Sequence, residues 1–176
     1  MIQLGKPAPS FKDAMAYKKG EDGFIKVSLD DYYGKWLILF FYPRDFTFVC
    51  PTEIKGFAAK EVEFDQMNCK ILAASTDSEW SHKNWLEKDL PEVNFPIVAD
   101  TTHKIAEAYQ ILNEDDGSAE RGLFIIDPSG NIKYALVSSG SVGRSVDETL
   151  RVLKALQSGD LCPVGWQPGQ DTLGKA

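Results

Sequence analysis

The chain has 176 residues, of which 43% are hydrophobic and 26% charged, which is the size and composition of one globular domain with a substantial core. Its 26 acidic residues outnumber its 19 basic ones, and the net charge of −7 argues against nucleic acid as a partner. No apolar stretch approaches the roughly 20 residues that a membrane span needs, and the first residues lack a secretory pattern, so we expect a cytoplasmic protein without membrane contact.

Turn and strand patterns fill the first quarter of the chain. In chain order we expect an edge strand at 11–17, a turn at 18–23, a returning strand at 24–27, a helical turn at 28–33 and a strand at 36–42. The first two strands predict an N-terminal hairpin. The strand at 36–42 is apolar on both faces, which is typical of a central strand.

Helices and strands alternate in the remainder. In order, we expect a helix at 48–67, a strand at 70–76, a helix at 78–88, a short strand at 94–99, a helix at 102–109, a strand at 121–127, a turn at 128–131, a strand at 132–137 and a helix at 145–157. Thr101 or Thr102 is the expected cap of the third of these helices. Ser145 followed by Glu148 predicts a capping box for the last.

This order of elements predicts an α/β protein with a mixed central sheet flanked by helices. A thioredoxin-like fold with an N-terminal hairpin fits the order, which by itself leaves a flavodoxin-like sheet open. Glycines and prolines indicate loop structure from Ser158 onward. We therefore expect a domain at 1–157 followed by a C-terminal tail at 158–176.

One cysteine, Cys50, lies where the strand at 36–42 passes into the following helix. Chemistry in α/β proteins gathers at such junctions, because a helix N-terminus offers unpaired N–H groups and the positive end of the helix dipole. A thiol reacts as its thiolate, which such surroundings stabilise. Pro51 suits a first helical turn but disfavours helical geometry at Cys50, so we expect a turn that unwinds easily. The alternative is that Cys50 is an ordinary buried thiol.

Thr47 precedes Cys50 by three residues, so the two side chains share a face if a helical turn has already begun. The threonine hydroxyl would then donate to the thiolate or to an oxygen substrate, and Pro43 would exclude water from one side. An N-cap role for Thr47 fits the spacing equally well.

Further motifs accompany these residues. The stretch from Phe41 to Glu53 reads Phe-Tyr-Pro-x-Asp-Phe-Thr-Phe-Val-Cys-Pro-Thr-Glu. It is followed, in order, by Ser81-His82-x-x-Trp85, Phe95-Pro96-x-x-x-Asp100, Arg121-Gly122-Leu123-Phe124-Ile125-Ile126-Asp127, Gly143-Arg144-Ser145-x-Asp147-Glu148 and Cys162-Pro163-x-x-Trp166. Over nearly its whole length the chain thereby resembles the typical two-cysteine peroxiredoxins of the alkyl hydroperoxide reductase C type.

The resemblance implies a thiol-dependent peroxidase that reduces hydrogen peroxide and organic hydroperoxides in antioxidant defence. Cys50 matches the cysteine that attacks the peroxide, and Pro43, Thr47 and Arg121 match the residues that complete its site. Donors such as Arg121 would stabilise the charge that develops on the leaving oxygen. From its position alone, Arg121 is equally well a surface residue whose charge reaches solvent.

The resemblance also implies a second reactive cysteine, Cys162, which would trap the Cys50 sulfenic acid as a disulfide between two subunits. A homodimer that assembles to a decamer is implied with it. A dithiol reductant is implied as well, and a flavoprotein reductase, thioredoxin or a glutaredoxin-like protein would each serve. Glu53 and Arg144 match positions that support the site.

We expect neither a cofactor nor a metal, because His82 and His103 do not combine with the cysteines at zinc-site spacing. Cys69 is expected to be a small apolar filler of the core. Two rival functions remain. A thioredoxin-type disulfide oxidoreductase needs Cys-x-x-Cys, where this chain has Cys50-Pro51-Thr52-Glu53. A non-enzymatic chaperone or ring scaffold is not tested by the sequence.

Overall fold

The computed structural model describes residues 2–20 and 23–175. Within these ranges, seven strands form one sheet in the order β2-β1-β5-β4-β3-β6-β7. The strands are β1 (Ala14–Tyr17), β2 (Phe24–Val27), β3 (Trp36–Phe41), β4 (Cys69–Ser75), β5 (Ile97–Ala99), β6 (Arg121–Ile126) and β7 (Ile132–Ser138). The helices are α1 (Cys50–Ala59), α2 (Glu61–Gln66), α3 (Glu79–Asp89), α4 (Lys104–Ala108) and α5 (Val146–Ser158), with a 3-10 turn at Leu29–Tyr32.

The middle of the sheet is occupied by β3, whose two faces are both apolar. Leu37, Ile38, Leu39 and Phe40 are at most 1% exposed. The strand pairs in parallel with β4 and antiparallel with β6. The prediction of a central strand in a mixed sheet flanked by helices is confirmed, and the antiparallel β6 excludes a flavodoxin-like sheet.

Two hairpins were predicted, and both are present. In the first, β1 and β2 pair antiparallel, although Glu21 and Asp22 of the predicted turn lie outside the described residues. The prediction that the first strand is an edge strand is wrong, because β1 also pairs with β5 and β2 is the outer strand. In the second hairpin, β6 and β7 are joined by a turn in which Gly130 adopts a φ of +84°.

The single helix predicted at 48–67 is wrong, since the chain forms α1 and α2 with a break at Lys60. Lys60 has φ −106° and ψ 2°, and its N–H bonds to Phe57 O at 3.1 Å. The break lets α2 pack against β4 while α1 begins beside the end of β3. Phe57 and Phe64, one from each helix, are both fully buried, with ring centroids 6.2 Å apart.

The cap predicted for α4 is also wrong. Neither threonine at 101–102 caps this helix. The carboxylate of Asp100 accepts from the N–H groups of Ile105 (3.2 Å) and Ala106 (2.7 Å) instead. Burial raises the pKa of Asp100, against the opposing effect of these backbone hydrogen bonds.

The chain forms two compact units, one up to Arg144 and one from Ser145 onward. In the second unit, Ser145 caps α5 by accepting from the Glu148 N–H at 3.1 Å. The Glu148 carboxylate binds Arg151 at 2.6 Å, so only the N-cap half of the capping box is confirmed. After α5 the tail is irregular, closed by an isolated bridge between Asp160 and Lys175. The boundary expected at 157/158 stays a prediction.

Among the helices of the described residues, none is both long enough and apolar enough to cross a bilayer.

Candidate active site

Cys50 is the first residue of α1 and is 1% exposed. The preceding residue, Val49, already has helical dihedrals, and its carbonyl accepts from the N–H (3.0 Å) and the hydroxyl (2.6 Å) of Thr52. Pro51 occupies the first turn, where its missing N–H costs no hydrogen bond. The thiol is thus held at a helix N-terminus, as the sequence predicts, with Cys50 itself inside the helix.

Arg121 brings a buried guanidinium to this thiol. It is the first residue of β6, which runs antiparallel to β3, so it lies at the edge of the sheet where β3 ends. Its Nη1 is 3.4 Å from the Cys50 sulfur and 2.6 Å from Glu53 Oε2, and its Nε donates to Gly140 O at 2.9 Å. Arg121 is 3% exposed, so the interpretation as a surface residue is wrong.

Glu53, one turn after Cys50 on α1, joins two arginines. Arg144 donates to its carboxylate from Nε (2.7 Å), from Nη2 (3.0 Å) and from the backbone N–H (2.7 Å). Burial by itself raises the pKa of Glu53, but the hydrogen bonds and charge of Arg144, with the charge of Arg121, outweigh it and lower the pKa. Glu53 therefore stays a carboxylate and fixes both guanidinium groups.

The charges of this buried cluster do not cancel. Two guanidinium groups face one carboxylate, with side-chain exposures of 1–3%. A single positive charge is left over next to the Cys50 sulfur, and an uncompensated buried charge is costly. A thiolate at Cys50 would balance it.

A cavity of about 370 Å³ opens at the thiol. Its lining includes all four residues predicted to form the site: Pro43, Thr47, Cys50 and Arg121. The structure therefore brings them together around one space large enough for a small substrate.

Thr47 reaches this cavity from outside the helix. The helix begins only at Cys50, and its N-cap Val49 makes no side-chain cap bond. The interpretation of Thr47 as an N-cap is therefore wrong. The premise that a helical turn has already begun at Thr47 is wrong as well, because the helix begins at Cys50. Its hydroxyl donates to Arg44 O at 3.0 Å, which leaves the oxygen lone pairs as acceptors.

The other two cysteines differ from Cys50, although all three are free thiols. Cys69 is fully buried, and burial raises its pKa to about 12, so the thiol stays protonated and the prediction of a core filler is confirmed. Cys162 is half-buried in the tail, with its sulfur 3.7 Å from Ser158 Oγ and 3.7 Å from Asp160 O. Its pairing with Cys50 stays a prediction.

A second buried polar cluster next to the site was missed by sequence reasoning. Asp45, between Pro43 and Thr47, accepts from Tyr42, Ser81 and His82 at 2.7–2.8 Å. Asp45 belongs to the motif around Cys50, and Ser81 and His82 to the next motif, but local spacing does not reveal that the two motifs touch. Among the described residues, no three His, Cys, Asp or Glu side chains are placed to hold a metal.

Fold and site together define a class of protein: a thiol-dependent oxidoreductase in which a free cysteine begins a helix beside a buried guanidinium. The comparisons with known proteins narrow the class. The sequence matches the AhpC/TSA family over residues 4–135. The chain therefore belongs to the AhpC/TSA family.

Named relatives of the chain support the same family assignment. The chain is 50% identical over 175 residues to the putative peroxiredoxin in the rubredoxin operon of Clostridium pasteurianum, covering 97% of this chain and 98% of the relative. It is 52% identical over 179 residues to peroxiredoxin prdx-2 of Caenorhabditis elegans, covering 97% and 88%. The predicted resemblance to the peroxiredoxins is confirmed, and with it the prediction of a thiol-dependent peroxidase.

Solved structures support the same fold. The reduced 2-Cys peroxiredoxin of Plasmodium vivax superposes with a TM-score of 0.90 at 36% identity, covering 96% of this chain and 91% of that one. The AhpC of Mycobacterium bovis superposes with a TM-score of 0.85 at 38% identity, covering 95% and 99%. The prediction of a thioredoxin-like fold is confirmed.

Proposed function

We propose that this enzyme reduces hydrogen peroxide and organic hydroperoxides at Cys50, in antioxidant defence, and closes an intersubunit disulfide with Cys162. The observation that carries the proposal is the Cys50 sulfur, 3.4 Å from the Arg121 guanidinium at the cavity that Thr47 and Pro43 also line. The net positive charge of the Glu53–arginine cluster supports a thiolate there.

In the first step, the thiolate sulfur attacks one peroxide oxygen. An S–O bond forms as the O–O bond breaks, so the sulfur loses two electrons and the peroxide gains two. The leaving hydroxide or alkoxide takes up a proton and departs as water or an alcohol. Cys50 becomes a sulfenic acid.

Three residues have proposed roles in this step. Arg121 stabilises the thiolate and the negative charge that develops on the leaving oxygen. Thr47, whose hydroxyl proton is engaged by Arg44 O, accepts a hydrogen bond from the peroxide and orients it. Pro43 closes one wall of the cavity with apolar surface and excludes water.

In the second step, the Cys162 thiol of a partner chain attacks the sulfenic sulfur. The S–S bond forms, the S–O bond breaks, and water leaves. A sulfur that is 1% exposed inside a helix is not open to another chain, so the first turn of α1 must unwind. Pro51, whose ring disfavours a helical residue before it, supports such a turn.

A dithiol then returns two electrons and two protons to the disulfide. One relative, from Trypanosoma brucei rhodesiense, is named a thioredoxin peroxidase. Thioredoxin, a flavoprotein reductase and a glutaredoxin-like protein are the proposed classes of donor. We place the enzyme in the cytoplasm, where thiols are kept reduced, as a homodimer that assembles to a decamer.

The test is peroxide consumption with a dithiol donor. Cys50→Ser should abolish it, and the matched variant Cys69→Ser, also at a buried thiol, should retain it. Cys162→Ser should not turn over: it should consume the first equivalent of peroxide per chain as sulfenic acid, and excess peroxide should carry the unresolved Cys50 on to sulfinic acid.

Non-reducing gels provide the second readout. Oxidised wild type should run as a covalent dimer that is absent in Cys50→Ser and in Cys162→Ser. Continued turnover by Cys50→Ser would contradict the proposed chemistry, and a covalent dimer of Cys162→Ser would contradict the proposed pairing.

A further inference from the structure

Asp45 lies in the loop between β3 and α1, and the proposed peroxide chemistry gives it no role. It is buried, and its carboxylate accepts from Tyr42 Oη (2.7 Å), Ser81 Oγ (2.7 Å) and His82 Nδ1 (2.8 Å). Its own N–H donates to Asp77 Oδ2 at 2.6 Å. One residue of the loop is thereby bound both to α3 and to the segment that follows β4.

The contacts of His82 link α3 both to Asp45 and to β5. Nε2 of His82 lies 3.2 Å from Val98 O. Nδ1 lies 2.8 Å from the Asp45 carboxylate, which the Tyr42 and Ser81 hydroxyls also contact. His82 and Asp45 therefore form a buried hydrogen-bonded pair, with side-chain exposures of 0% and 1%.

The next residue of the loop has an unfavourable backbone conformation. Phe46 has a φ of +56°, a left-handed conformation that bulky side chains rarely adopt. Its ring packs on Trp85 of α3, with centroids 5.8 Å apart. Such a conformation persists only where its surroundings enforce it. Here Asp45 is fixed on one side, and Thr47 is bonded to Arg44 O on the other.

We propose that Asp45 and His82 are positioning residues for the peroxide step. Their buried hydrogen bond holds the strained loop 43–49 closed, and this loop carries Pro43 and Thr47 to the cavity at Cys50. The inference rests on the proposed function, because it concerns the balance between the two steps at Cys50. The closed loop favours attack on peroxide, whereas the open loop favours disulfide formation.

The balance between the two steps can be measured from the oxidation products of Cys50. A sulfenic acid held in the closed site meets a second peroxide and goes on to sulfinic acid, while one in the open site meets Cys162. Weakening the contact between Asp45 and His82 therefore slows the first step and speeds the second. It also lowers the fraction of Cys50 that becomes sulfinic acid per turnover.

The experiment uses Asp45→Asn in the full chain. Rapid-quench mass spectrometry follows Cys50 as thiol, disulfide and sulfinic acid after mixing with hydrogen peroxide. We expect the rate of peroxide attack to fall about tenfold, with faster disulfide formation and a smaller sulfinic fraction. His82→Gln should act in the same direction. The double variant should be no worse than the more severe single one, because the two residues act through each other.

Asp89→Asn is the matched control, since Asp89 is exposed at the last residue of α3. If Asp45→Asn folds and its attack rate and sulfinic fraction equal those of Asp89→Asn, the inference is wrong. A fall in thermal stability without a shift between the two oxidised products would also overturn it, because that is what a purely structural role predicts. If Asp45→Asn does not fold, the variant Tyr42→Phe tests the inference in its place. It removes one of the three donors and should shift the products the same way by a smaller factor.

Peroxide consumption by Cys50→Ser, measured with a dithiol donor, separates this inference from the proposed function. If Cys50→Ser still consumes peroxide, the proposed function has failed. If it is inactive while Asp45→Asn behaves like Asp89→Asn, only the positioning role has failed.

Discussion

Cys50 and Cys69 are both buried thiols in the same chain, with exposures of 1% and 0%. Cys69 begins β4, and burial raises its pKa to about 12. Cys50 begins α1, next to Arg121 and a cavity of about 370 Å³. Burial therefore does not distinguish the two cysteines. The charge and the space that the fold places beside the sulfur do, and we expect these to make Cys50 the reactive one.

Among variants that alter the surroundings of Cys50 relative to those of Cys69, we expect the largest effect from Glu53→Gln. It leaves Arg121 and Arg144 without their shared carboxylate. Removing one partner of a buried ion pair costs about 3–5 kcal/mol, so we expect a loss of that size in the free energy of unfolding. Denaturant titration of the reduced protein measures it.

The loss of stability in Glu53→Gln should also depend on pH. Because the pKa of Glu53 is lowered in the folded chain, its contribution to stability is complete above its ordinary pKa of 4.5 and is lost as the pH falls through the lowered value. The stability gap between wild type and Glu53→Gln should narrow only below pH 4.5. A gap that stays constant through the acid range would contradict the role assigned to the carboxylate.

Arg121→Met makes the surroundings of Cys50 more like those of Cys69. It keeps an unbranched side chain but removes the charge beside the sulfur, and we expect the second-order rate with peroxide to fall about 10²–10³-fold. Stopped-flow kinetics measures the rate. Arg144→Met is the matched control, because Arg144 also binds Glu53 but directs its hydrogen bonds to Glu53 and Gly122 O rather than to the Cys50 sulfur. Equal rate losses in the two variants would show that contact with the sulfur is not the cause.

Thr47→Val tests the cavity rather than the charge. It removes one hydroxyl, and the loss of one neutral hydrogen bond, about 1 kcal/mol, predicts a fivefold to tenfold fall in the peroxide rate. Thr47→Ser keeps the hydroxyl and should stay close to wild type. If the serine variant is as slow as the valine variant, the methyl group matters and the hydroxyl does not.

Cys69→Ala should have the smallest effect. Removing the buried sulfur leaves a small void, which costs about 1 kcal/mol of stability, while the peroxide rate should stay within about twofold of wild type because the cavity at Cys50 is untouched. Thermal unfolding and stopped-flow kinetics measure the two effects. A large loss of rate would mean that the two thiols are coupled.

Sequence patterns selected residues that the structure brings around one cavity, because these residues are marked locally. The apolar run that predicted a strand at 36–42 is β3 at Trp36–Phe41. A proline-flanked cysteine directly after it marks a helix start. Arg121, a charge opening an otherwise apolar strand, is a local anomaly of the same kind. Such features are visible in a few consecutive residues.

Contacts between distant residues were not predictable in this way. Asp45 and His82 are 37 residues apart, and each on its own has the pattern of a surface residue. The break at Lys60 has no sequence signal either, because its neighbours Ala59 and Glu61 are good helix formers. Packing of α2 on β4 overrides that propensity, and it is a tertiary effect.

The break at Lys60 also bears on how quickly the helix that begins at Cys50 can unwind. Any unwinding that exposes Cys50 concerns α1 alone, which is ten residues long. Helix–coil relaxation of peptides about twice that length takes about 0.1–1 μs, far shorter than a typical catalytic cycle of about 0.1 s. We therefore expect that unwinding of the helix by itself does not limit the cycle. We expect the rate of opening to depend on how long the buried contacts of Arg121 and Asp45 persist.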